Sequence, residues 1–447
     1  MRQAKANYTS ARGLWMRIAG CLLALSVSST VLVAQQSSEQ TGSSMQGEAV
    51  NPVVLETPSS SQTIALLGTD QRYMDLETLQ TRRRTFLVYG MGISDSYTTG
   101  FQANSGQDRH EFLWNSHIAL VNASNHSALS FQYAPTLLHG ISGPLGDQVF
   151  HVGTIAFGQP ITRNLTFQVN TTNTYGTDLA RLLSPSAFSV NGRVPIADPS
   201  SAVFQFNRGN VFASQNSINL SLQRSPSQSL NFSTEHSYLS LLGQGQHTNA
   251  SFAQISYFVA ISRTTSFNVG SNYHYEIFPV GSCSGYGFSL GISHRFGRYI
   301  DMDLRGGPEF EAARCKGRGA GANYGLSISY PLSRRSRVGL AASRSYTNRY
   351  LANAQWTDSA AITYNRQLSE SFQMNLNSGY ARSVLTSNQG AYGGYFVDAE
   401  VSWNVSRTLA FGTGYKRFQQ VSGGPTQGQN VGLVSLRWNP LPTRIVK

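Results

Sequence analysis

Charge is scarce in this chain. Asp, Glu, Lys and Arg make up 13% of its 447 residues, against about a quarter in ordinary globular domains. Lysine stands only at positions 5, 316, 416 and 447, so nearly all of the formal +12 comes from arginine. No Lys/Arg-rich run with interleaved aromatics exists, which argues against nucleic acid as a partner. Past residue 34 no uncharged apolar stretch approaches the roughly 20 residues of a spanning helix, which excludes a helical membrane protein. Bulk disorder needs high charge and few aromatics; here 23 Phe, 21 Tyr and 5 Trp accompany 42 Gly. An ordinary cytosolic α/β enzyme is equally out of keeping, and an all-β chain remains.

Catalytic signatures are missing as well. There is no GxSxG, HExxH, paired CxxC or phosphate loop. His110-Glu111 lacks a second His four residues on, and the Gly317–Gly321 cluster opens no helix. The expectation is a protein that is not an enzyme and carries no cofactor or metal. Barrel phospholipases set a Ser/His pair on the lipid-facing wall. His236 is the outward candidate here, with no obvious neighbouring Ser in the sequence.

The first residues read as an export signal. Arg2, Lys5, Arg12 and Arg17 precede an uncharged run from Ile18 to Ala34, a basic n-region followed by an apolar h-region. Cleavage after Ala34 takes the net charge to +8 and removes Cys21. Cys283 and Cys315 are left as an even pair in an oxidising compartment. Residues 1–34 are thus a signal peptide, 35–84 a Ser/Gln-rich flexible periplasmic segment, and 85–447 the folded domain. The flexible segment is too short for a plug domain, which argues against a large siderophore-type receptor.

The domain alternates with period two. Leu165-Thr166-Phe167-Gln168-Val169-Asn170 is strict, and so is Ile218-Asn219-Leu220-Ser221-Leu222-Gln223. Such strands carry apolar side chains on one face and small polar ones on the other. Short polar turns recur at Ser124, Arg163, Ser225, Arg263, Gly297, Arg334, Ser369 and Arg407, 34–39 residues apart except for one interval of 62. Longer Gly-rich loops lie between them: Gly243–His247, Gly281–Gly287, Gly306–Asn323, Ser387–Gly394 and Ser422–Gln429. Eight turns make sixteen strands. A first strand (Thr85–Tyr97) and a last one (Asn430–Asn439) make about eighteen, with a range of 14–20.

Short turns on one rim, long loops on the other and an even count are the signature of a transmembrane antiparallel up-and-down β-barrel. Lipid then replaces the missing packing partner of the apolar face. Tyr89, Tyr275, Tyr330, Tyr346, Tyr364, Trp403 and Trp438 stand near strand ends, as interfacial girdles do. A secreted β-sandwich or propeller is the competing architecture. On these features residues 85–439 resemble bacterial outer-membrane β-barrels of the porin-like type. The C-terminus departs from that pattern, because Trp438 closes the last strand while Asn439–Lys447 trails beyond it.

Parity places Glu276, Asp301, Asp303, Arg305, Arg337, Asp398, Glu400 and Lys416 on the polar, pore-lining face. Opposite signs facing each other across a pore would set a transverse field and weak ion selectivity; lumen salt bridges that stiffen the wall are the alternative. The 62-residue interval holds one long excursion, Gly176 to about Arg208, with Asp178, Arg181, Arg193, Asp198 and Arg208. In porins a long third loop often narrows the pore, and the resemblance implies the same constriction here. A mobile surface loop, or an extra strand at Ala202–Asn207, is the competing reading. Cys283 and Cys315 fall in successive long loops on one rim, where a disulfide would tie the loops if their Cα atoms come within about 7 Å; two free thiols are the alternative.

The sequence therefore points to the outer membrane of a Gram-negative bacterium and to passive passage of small hydrophilic solutes. The implied partners are outer-membrane lipid, lipopolysaccharide and the barrel-assembly machinery, with the barrel a monomer or homotrimer. A non-conducting adhesin or structural barrel and an exopolysaccharide-export barrel are the alternatives. Inward Phe258 and Phe396 are the only stacking platforms that favour export.

Overall fold

A computed structural model of the chain describes residues 84–99, 108–124, 127–142, 147–176, 210–242, 246–278, 281–297, 299–312, 320–347, 355–385, 391–422, 427–440 and 443–444. The signal and linker expectations for residues 1–83 lie outside them. The described residues form one continuous sheet. Its first half runs β1 (Arg84–Thr99), β2 (Arg109–Ser124), β3 (Ser127–Ser142), β4 (Gln148–Thr162), β5 (Leu165–Gly176), β6 (Val211–Ser225), β7 (Gln228–Leu241), β8 (Gln246–Ala260) and β9 (Thr265–Phe278). The second half runs β10 (Gly281–Phe296), β11 (Ile300–Glu311), β12 (Ala320–Ser333), β13 (Ser336–Thr347), β14 (Gln355–Gln367), β15 (Phe372–Leu385), β16 (Ala391–Asn404), β17 (Leu409–Ser422) and β18 (Gln427–Trp438).

Each strand pairs antiparallel with the next, and β1 pairs with β18 from Met91↔Trp438 to Thr99↔Asn430, closing the ring. The architecture is an 18-strand antiparallel up-and-down barrel. Closure leaves no edge, so ladder N–H and C=O groups meet partners without help from water. A 14-residue strand such as β7 rises roughly 45 Å. Tilted about 40°, it spans about 35 Å, enough to cross an apolar band of about 25 Å. No helix among the described residues is long and apolar enough to cross a membrane.

The described short turns fall where the hairpin period places them. Residues 163–164, 226–227 and 334–335 are two-residue links, and 261–264, 368–371 and 405–408 are slightly longer. Gly297 sits at φ 61° in its turn, a left-handed backbone that glycine adopts without a Cβ clash. Serines tighten several others: Ser406 Oγ accepts from the backbone N–H of Thr408 at 3.2 Å and of Leu409 at 3.1 Å.

The C-terminus corrects the sequence reading. A two-residue strand, β19 (Thr443–Arg444), returns to β1 and pairs with Phe86–Leu87. It extends the seam below the point where β18 stops, and Tyr89 and Trp438 pack edge-on across that seam with centroids 5.8 Å apart. The long-loop rim differs too. Gly281–Gly287, read as a loop, is the start of β10, paired through Gly281↔Phe278 and Gly287↔Asn272. Most of Gly306–Asn323 is likewise strand, β11 running on to Glu311 and β12 starting at Ala320. Glycine is usual in loops, but at Gly285 it serves a close approach: a Cβ there would collide with the His274 ring lying across it.

One face of the ring is apolar and exposed. Leu290 is 67% exposed and Phe131 50%, and Ile93, Ile118, Ile255, Ile362, Val434 and Leu436 share that face around the barrel. Leaving such side chains in water forfeits about 1.5–3 kcal/mol each, and a lipid surround restores it. Aromatics band both ends of this face. Tyr330, Trp403 and Trp438 stand near the short turns, and Tyr97, Tyr133, Tyr273, Tyr275, Tyr286 and Tyr324 towards the long loops.

Candidate functional site: the ionic inner wall

The opposite face is the interior of the ring. Ser94, Ser96 and Thr98 of β1 take it, as do Gln132 of β3, Thr154 of β4, Asn375 and Asn377 of β15, all buried. The register sets all eight ions assigned by parity on this face: Glu276 on β9, Asp301, Asp303 and Arg305 on β11, Arg337 on β13, Asp398 and Glu400 on β16, Lys416 on β17. Glu111, Glu235, Arg295, Glu309, Glu311, Arg437 and His274 join them there.

Several of the described ions meet as neighbours on adjacent strands. Arg295 Nε donates to Asp301 Oδ1 at 2.6 Å, one rung of the β10–β11 ladder, and Ser293 Oγ donates to Asp303 Oδ2 at 2.6 Å on the next inward rung. Lys416 Nζ lies 3.2 Å from Asp398 Oδ2 across β16–β17. Glu400 sits within electrostatic reach of Lys416 and Arg437. Arg305 lies across Gly325 of β12, where a Cβ would stand 2.8 Å from Nε. Such cross-strand pairs hold the wall together, which is the stiffening alternative of the sequence reading.

Charge is unevenly placed around and along the ring. From β3 to β8 the inner face carries one described ion, Glu235, whose Oε1 accepts from Gln215 Nε2 at 2.9 Å. Its other members there are neutral, and Leu138, Phe150, Val211 and Leu239 are buried near the long-loop rim. From β9 to β18 the inner face is ionic. Along the axis, Glu111, Glu276, Glu309 and Glu311 stand near the long-loop rim. Arg295, Arg337 and Arg437 stand next to the short turns.

Glu309 and Glu311 escaped the parity reading because the glycines at 306 and 307 broke it into a loop. The odd-numbered series Asp301, Asp303, Arg305 in fact continues through Gly307 to Glu309 and Glu311. Asp178, Arg181, Arg193, Asp198 and Arg208 lie outside the described residues. So does Cys315. Cys283 is disulfide-bonded, and it is buried on β10, not in a loop.

On the outer face, His236 corrects the sequence reading by having a serine partner. His236 pairs with Ser251 across β7–β8, with 2.9 Å between Nδ1 and Oγ, and Asn216 is its ladder neighbour on β6. Thr265 Oγ1 and His294 Nδ1 make the same contact at 2.8 Å, so the arrangement is a recurrent cross-strand pair of this wall. Elsewhere on the outer face, towards the long loops, His110 Nε2 of β2 lies 2.7 Å from Asp95 Oδ1 of β1, and Arg344 of β13 makes a two-pronged ion pair with Asp358 of β14 at 2.6 and 2.7 Å. Among the described residues no group of three His, Cys, Asp or Glu is placed to hold a metal ion.

No protein-family model matches the chain, and no curated protein does. Among solved structures, the siderophore receptor PirA from Pseudomonas aeruginosa is similar at 8% identity and TM-score 0.43, over 81% of each chain. The FrpB iron transporter from Neisseria meningitidis is similar at 10% identity and TM-score 0.44, over 75% of this chain and 62% of that one. OccK11 (OpdR) from Pseudomonas aeruginosa is similar at 12% identity and TM-score 0.45, over 81% of this chain and 99% of that one. Likeness at this level carries no functional argument, which has to rest on the barrel's own two faces.

Proposed function

We propose that the chain is an outer-membrane channel through which small hydrophilic solutes pass passively. The observation that carries this reading is the division of one closed sheet into an exposed apolar outside and a polar, ion-bearing inside. Ions on a lipid-facing wall cost about 2–4 kcal/mol each near the bilayer midplane; on the inner face of a wide barrel they keep water and one another. An 18-strand ring is in the size range that encloses an aqueous passage. The short turns then face the periplasm and the long loops the exterior. The reading assigns the barrel no covalent chemistry and no cofactor.

Liposome swelling tests it. Vesicles carrying the refolded mature chain are expected to swell in small sugars and amino acids at rates that fall with solute size. Swelling no faster than protein-free vesicles, with the barrel shown to be folded, would overturn the reading.

A further inference from the structure

We propose that the inner wall of β9–β11 is a binding site for an organic cation bearing several N–H donors, of the guanidinium or polyamine class. The proposal rests on the channel reading for its place on a solute's route, at the long-loop mouth, but the site is defined by its own residues.

Three carboxylates line that wall from the two strands that flank β10. Glu276 stands on β9, and Glu309 and Glu311 on β11; Glu276 feels the charges of both. The strand between them is stripped of side chains where it matters. Gly285 pairs with His274 on one side and Glu311 on the other, and Gly287 with Asn272 and Glu309. The result is a wall of carboxylates on either side of β10, with the His274 ring and the Asn272 side chain lying across its glycines.

Its acceptors lack donors. Glu276 is 4% exposed and its Oε2 has no hydrogen-bond partner; Glu311 is 8% exposed and neither oxygen has one. Glu309 accepts from Asn323 Nδ2 at 3.3 Å, with His274 Nδ1 at 3.7 Å. A further polar group without a partner lies on the inner face of β8, the strand beside Glu276. Thr248, 5% exposed, has an unpartnered Oγ1 and sits two residues before Ala250, the ladder partner of Glu276. A buried carboxylate without a donor is strongly unfavourable unless it takes up a proton or a cation joins it.

The chemistry of that cation follows from spacing. No three of the described acidic or imidazole groups are close enough together to share one metal ion. Acceptors spread along two strands instead suit a ligand whose donors are themselves spread out, as in a planar guanidinium fork or a chain of ammonium groups.

Agmatine, which carries both groups, is the probe, and Glu276→Gln/Glu311→Gln the test variant, since the amides keep side-chain volume. Glu235→Gln, on the other arc, is the control. Calorimetric titration of the folded, detergent-held chain is expected to show saturable binding that weakens at least tenfold in the double variant and less than twofold in the control. In bilayers, agmatine added at the long-loop side is expected to interrupt the current of the unaltered chain. Conduction without calorimetric binding or block overturns the site and leaves the channel reading standing. Binding in a barrel that never conducts upholds the site and overturns the channel. Equal binding by the double variant overturns the site outright.

Discussion

The two arcs of the inner wall differ in the charge they carry. From β3 to β8 the described interior carries a single ion, Glu235, and near the long-loop rim it is apolar, with Leu138 and Phe150 in one buried cluster with Leu113 of β2. From β9 to β18 it carries bonded pairs such as Arg295–Asp301 and Lys416–Asp398. Yet the outer faces of both arcs are alike in their exposed Leu, Ile, Val and aromatics. The contrast separates two demands. Ladder closure and an apolar exterior are required of every strand, whereas the interior is left free, and ions have gathered on one side of it.

The largest effect should come from violating the shared demand. Leu290→Arg on the exposed face is expected to cost about 2–4 kcal/mol, by the depth-dependent price of a cation in lipid. Asn268→Arg, on the inner face of neighbouring β9, is expected to change stability by less than about 1 kcal/mol. Urea titration of the barrel in lipid vesicles measures both, and equal costs would erase the distinction between faces. Next in size is the ionic arc itself. Lys416→Met leaves the nearly buried Asp398 without its partner at 3.2 Å and is expected to cost about 1–3 kcal/mol. Gln132→Met on the β3–β8 arc should cost less in the same assay.

Smaller effects sharpen the comparison at the surface. Arg344→Ala, which breaks the outer-rim pair with Asp358, is expected to cost about 1 kcal/mol or less, because both groups keep access to water. Reduction should be smaller still for the barrel as a whole. Cys283 is expected to resist thiol alkylation in the unreduced chain and to be labelled after dithiothreitol and denaturation, while ring closure through β1–β18 persists. Labelling before reduction, read by mass spectrometry, would contradict the bonded state.

Much of this was legible in the sequence, for a physical reason. Two-residue periodicity is local, so Phe167-Gln168-Val169 already declares which face is which, and the hairpin turns at Arg163, Arg334 and Ser369 follow from the polar breaks between such runs. Parity then carries every ion on an unbroken run, which is how Asp301, Asp303 and Arg305 were placed. It fails where glycine imitates a loop. Gly285 and Gly287 make room for His274 and Asn272 on the strand beside them, and that neighbour is set by register, which no local pattern reveals. For the same reason Glu309, Glu311 and the Ser251 partner of His236 were invisible until the ladder was known. Arg295–Asp301 spans a tight turn and Lys416–Asp398 a hairpin, yet their pairing also required the register.

The most direct test of the central claim is the reversal potential of the refolded mature chain in a planar bilayer under a salt gradient. Inward acids outnumber inward Lys and Arg among the described residues, with four glutamates near the long-loop rim. The account predicts discrete conductance steps whose reversal potential has the sign of cation preference. A folded barrel that carries no current, or one whose reversal potential favours anions, would contradict it.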